Sequence, residues 1–125
     1  MSDYLENALL NLTVNATAYT PPSNVYLALL LSNPTDTGIV FEVTGINYSR
    51  HLVTFTTATT GTVSNNSIIN FAPAGSLWGD IGWVGIYDAL TGGNLLYHTP
   101  LDTVLTIDVG NIFKISVGNL TITLD

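Results

Sequence analysis

Between Ile81 and Tyr87 the chain carries bulky apolar groups on both faces of what reads as a pleated strand, and few folds accommodate that. With a two-residue period, Ile81, Trp83 and Tyr87 fall on one face and Val84 and Ile86 on the other. A strand that is apolar on both sides must be covered on both sides. One cover is the subunit's own core; the other has to be a helix, a loop or a second subunit. Residues 88–94, with Gly92 and Gly93, then turn the chain into another strand at 95–98.

Composition sharpens the question of cover. Charged residues make up 9% of the 125, against roughly 25% in an average soluble protein. A monomer of 13.3 kDa exposes about 6,500 Å² by the usual surface scaling, so each charge serves on the order of 600 Å². Much of the rest has to be Thr, Asn, Ser and apolar atoms. With a mean hydropathy of +0.40, that is an aggregation liability for a free-standing β protein. The expectation is a surface partly occluded in an assembly.

Arg50 and Lys114 stand against nine carboxylates, for a net charge of −7. Phosphate neutralisation needs cations, so nucleic-acid partners are excluded. An anionic membrane surface repels such a chain, and the longest purely apolar run, residues 25–31, is far short of the roughly 20 residues of a membrane helix. Without cysteine, disulfide and thiolate chemistry are excluded. The opening Met-Ser-Asp-Tyr-Leu-Glu lacks the basic and apolar regions of a signal peptide, so synthesis in a cytoplasm is expected.

The pattern predicts one domain over 1–125, with a helix and proline-containing linker over 1–23 and a β-sandwich over 24–125. Leu5, Ala8, Leu9 and Leu12 fall at helical spacing, and Asp3 with Glu6 resembles a capping box. Thr20-Pro21-Pro22-Ser23 then enforces an extended linker. Beyond it, short strands are predicted at 25–31, 48–57, 67–71, 81–87, 95–98 and 104–107. In the 48–57 strand Val53 and Phe55 point inward and Arg50 and Thr54 outward. Residues 108–111 read as a hairpin loop, and two alternating strands begin at Phe113 and Leu120. About eight strands and no crossover helices make the expected fold all-β, a two-sheet antiparallel β-sandwich of jelly-roll type with one short N-terminal helix.

Catalytic and ligand patterns are sparse. His51 and His98 sit in no triad, HExxH pattern or nucleophile elbow, and each reads as a packed or surface histidine. Asp80 and Asp88 bracket one strand about 26 Å apart, too far for the carboxylate pair of a glycosidase. Asp36, Asp102 and Asp108 lie in separate turns without the spacing of a calcium loop. The glycines from Gly79 to Gly93 sit in strand and turn rather than before a helix, so they form no phosphate cradle; Gly82 and Gly85 read as bulge or close-approach positions. Trp78, Trp83 and Tyr87 offer a possible sugar platform, but packing into a core or a subunit interface is the stronger reading. No catalytic residue, cofactor or metal is expected.

Residues 78–98, Trp-Gly-Asp-Ile-Gly-Trp-Val-Gly-Ile-Tyr-Asp-Ala-Leu-Thr-Gly-Gly-Asn-Leu-Leu-Tyr-His, resemble a segment found in a family of small tailed-bacteriophage virion proteins often labelled tail-fibre-like. Residues 2–11, 25–29 with Asn33-Pro-Thr-Asp36, Tyr48-Ser-Arg50 before Val53-Thr-Phe55, and Leu120-Thr-Ile-Thr-Leu124 resemble the same family in the same order. The resemblance implies a non-enzymatic virion structural protein. It leaves two places for it: a capsid decoration (cement) protein, expected as homotrimers on the major capsid protein, or a tail or tail-fibre component that adapts or contacts a receptor. One compact domain, no fibre repeat and a broad uncharged surface favour decoration. A carbohydrate-binding module outside any virion is a third reading. The residues expected to carry assembly contacts are Leu5, Leu9, Trp83 and Tyr87.

Overall fold

The computed structural model describes residues 1–124. One helix, α1 (Asp3–Val14), precedes eight strands: β1 (Val25–Leu30), β2 (His51–Val53), β3 (Thr62–Ser64), β4 (Ile69–Asn70), β5 (Gly79–Tyr87), β6 (Leu95–Ile107), β7 (Lys114–Ile115) and β8 (Thr121–Thr123). They form three antiparallel sheets: β2-β1-β5-β6, and the two-stranded ladders β3-β8 and β4-β7. The fold is mostly β with one short helix.

The two ladders are one interrupted ribbon. Thr62 faces Thr123 and Ser64 faces Thr121, and after a gap Ile69 faces Ile115 and Asn70 faces Lys114. Asn65, fully buried, bridges the gap. Its Nδ2 donates to the Ser67 and Ser116 carbonyls, its Oδ1 accepts from Leu120 N, and its backbone pairs with Leu120 and Gly118. One amide thus satisfies backbone groups that a regular ladder would have paired. The core lies between this ribbon and the four-stranded sheet: Leu27, Leu29, Val84 and Ile86 from the sheet meet Ile69, Phe71, Phe113 and Leu120. The chain changes layers after β2, where Phe55 bridges to Asn65. The 95–98 and 104–107 strands merge into the single long β6, and the turn at Asp108–Asn111 joins strands of different sheets instead of closing a hairpin.

The double-faced strand is covered by its own chain. Ala28, Leu30, Tyr87 and Leu95, with half-buried Trp83, make a second cluster on the far side of the sheet. The Arg50 guanidinium lies over the Tyr87 ring at 3.9 Å, and its Nη1 donates to the Ala89 and Gly92 carbonyls, both at 2.8 Å, drawing the turn after β5 over the cluster. Arg50 therefore lies on the face opposite Val53, as alternation predicts, but it is buried there instead of facing solvent. Its charge is met by Glu42, which accepts from Nε and Nη2 at 2.9 Å in a two-pronged pair. Of the three possible covers, loops and one arginine supply this one.

The facing of Ile81 also differs from strict alternation. Ile81 pairs with Leu105 but Trp83 pairs with Pro100, so the ladder slips at Gly82 while β6 loops out opposite it. The bulge carries Ile81 to the Val84 and Ile86 side, where it is buried in the main core. Gly82 is thus the bulge that the sequence suggested.

At the N-terminus Ser2, rather than Asp3, caps α1. Its Oγ accepts from Leu5 N at 3.3 Å and donates to the Leu95 carbonyl, while its N–H donates to the Leu96 carbonyl at 2.9 Å. The cap therefore ties the helix to β6, and Leu5 enters the core.

Candidate functional site

The four residues expected to carry assembly contacts divide between core and surface. Leu5 and Tyr87, 5% and 1% exposed, are enclosed by their own subunit. Leu9 is half-buried against the core and Trp83 against the second cluster, so only these two keep accessible area. Trp78 is buried as well: its indole packs where a Cβ on Gly45 would stand, and Nε1 donates to the Ile46 carbonyl at 3.0 Å. With Trp78 and Tyr87 inside, a three-ring sugar platform does not form.

The titratable groups are engaged in packing. His51 lies beside Phe71, with ring centroids 5.6 Å apart. His98 Nε2 is 2.9 Å from Asp36 Oδ1 and the ring sits beside Trp83, which fastens the loop after β1 to β6. Tyr48 donates to Glu42 and accepts from Leu29 N at 3.1 Å. Burial above all, then the bond to Glu42, pushes its phenol far above the ordinary range. Burial also raises Tyr87. Among the described residues no cluster of three or more His, Asp or Glu is arranged to hold a metal ion.

Apolar side chains stand uncovered over much of the surface, Ile46, Leu77, Val109 and Val117 among them, and in three places they form a run or line a cleft. The distal half of α1 leaves Leu10, Leu12 and Val14 exposed, at 59%, 44% and 73%. The run Ile39-Val40-Phe41 lies exposed where the chain pairs with the end of β1. Between β6 and β8 a cleft of about 270 Å³ opens into the molecule, with Val25, Phe55, Ala58, Val63 and Ile122 among its walls. Sequence reasoning missed this cleft because Phe55, Val63 and Ile122 alternate as core residues do. Nothing in that alternation reveals that the two layers stand apart on this side.

Surfaces of this kind suit a chain that works by being built into something larger, and the comparison with known families agrees. The chain is a phage virion structural protein of the fibre-like class. It belongs to the family described as Podophage GP4 fiber I protein gp80, whose model matches residues 1–123. No curated protein matches it.

Proposed function

We propose that this protein is a non-enzymatic structural subunit of a bacteriophage tail fibre, acting through self-association and contact with neighbouring tail proteins. The observation that carries the reading is the match of residues 1–123 to a family described as a fibre protein. That description favours the tail over the capsid decoration role that composition and compactness suggest. The engagement of both histidines and of Tyr48 in packing contacts supports a structural role over a catalytic one. Within this reading the two layers form a sandwich of jelly-roll type, and copies associate as homotrimers.

Stoichiometry tests it. In purified particles the protein should be scarce relative to the major shell subunit, and antibody labelling should fall on the tail. Abundance near that of the shell subunit, with label over the capsid, would transfer the protein to the decoration role. Particles lacking it should adsorb poorly while keeping their DNA on heating.

A further inference from the structure

We infer that copies of this chain join head to tail, the distal half of α1 from one copy seating in the apolar cleft between β6 and β8 of the next. The inference deepens the fibre reading by naming the contact between copies.

Three observations carry it. The first is the helix itself. At 12 residues it is near the lower limit at which helices persist in water, and only its first turns rest on the body. From Leu9 to Val14 only Asn11 and Thr13 interrupt the apolar residues, and a helix apolar nearly all round belongs in an interior. The second is charge. Copies at −7 repel one another, so they can approach closely only where carboxylates are absent. Residues 7–35 carry no ionisable acid or base other than Tyr19 and Tyr26, and among the described residues lining the cleft none is charged. The third is area. The isolated chain exposes 7056 Å², roughly 550 Å² more than the scaling for its mass gives, and a standard interface covers about 800 Å² per partner.

Strand addition along β6 is the competing use of this side, and the edge resists it. Pro100 removes a donor, Leu101–Val104 bulge out of the ladder, and Ser2 already occupies the Leu96 carbonyl. A side-chain plug meets none of these obstacles.

The absence of native cysteine makes the test direct. Val14→Cys and Ala58→Cys chains, each carrying one thiol on an exposed position, are mixed and oxidised. A disulfide heterodimer that forms in preference to either homodimer is expected, as is a loss of self-association of about tenfold or more in Leu10→Asp, whose circular dichroism should match the parent. Val14→Cys homodimers alone would mean helices bundling with one another and would overturn the proposal. So would a parent chain that sediments as a monomer, or a folded Leu10→Asp that associates normally. Because the readout is purified protein, failure here leaves the particle stoichiometry, and with it the fibre reading, to stand or fall separately.

Discussion

Arg50 holds the second cluster and the turn after β5 together. It sits on the face of the sheet away from the main core, stacks on Tyr87, holds the turn at Ala89 and Gly92, and is neutralised by Glu42. Truncating one member of a buried ion pair leaves the other charge without compensation, which costs about 3–5 kcal/mol. Arg50→Ala is therefore expected to lose that much in denaturant unfolding and to raise hydrogen exchange across residues 88–94. Arg50→Lys should recover only part of the loss, because an ammonium cannot reach Glu42 with two prongs and both carbonyls as well. Tyr48 sets a pH limit. Its phenol ionises far above the ordinary value when folded, whereas the unfolded chain releases that proton near pH 10. Above that pH the unfolded state therefore binds fewer protons, and stability falls as pH rises. The slope should approach about 1.4 kcal/mol per pH unit for each tyrosine so held. A titration of the unfolding midpoint from neutral pH upward checks this, and Tyr48→Phe should flatten the fall.

At the level of elements, the turn after residue 58 shows what a single sequence conceals. Thr60 and Gly61 both take positive φ, 52° and 76°, and Thr59 and Thr62 exchange backbone hydrogen bonds around them. That is a two-residue turn of the mirror-image type, which Asn-Gly favours and a β-branched residue strains. With Thr in the first position the signal for a hairpin is absent, so β3 could not be read from the residues. Thr60→Asn should stabilise the protein by about 0.5–1 kcal/mol, seen as a higher unfolding midpoint. Other elements were readable because their pattern and their environment agree. The unbroken apolar run of β1 reports a strand buried on both faces, and the glycine at 82 reports a bulge. Leu5 reports the helix stripe that meets the core. The sequence does not show that β6 runs on past Pro100, since the bulge at 101–104 breaks the alternation. Nor does it show that loops, rather than a second subunit, cover Tyr87. That depends on Arg50: the period of its strand puts it on this face, away from Val53, but nothing in the residues shows that its guanidinium lies down over Tyr87.

For the molecule as a whole, the sparse charge and the uncovered apolar surface have a joint consequence that separates this protein from one assembled by ion pairs. Nine carboxylates against two cations make every pair of copies repel, over a distance of about 10 Å at moderate ionic strength. If attraction comes from apolar burial at α1 and the cleft, added salt screens the repulsion and leaves the attraction intact. Self-association measured by sedimentation should then strengthen from low salt to about 0.5 M sodium chloride, and it should strengthen further as pH falls toward the isoelectric point near 4.2. An assembly bound through Lys114 or Arg50 would show the opposite salt dependence. Arg50 is in any case committed inside its own subunit, so Lys114 is the one basic side chain of lysine or arginine type left to pair with a neighbour among the described residues. One such pair at a surface contributes at most about 1 kcal/mol. That is too little to offset the freedom lost when two chains associate, estimated at about 4 kcal/mol or more. Weakening by salt would therefore point to a contact that neither the charge inventory nor the exposed apolar area of this chain provides.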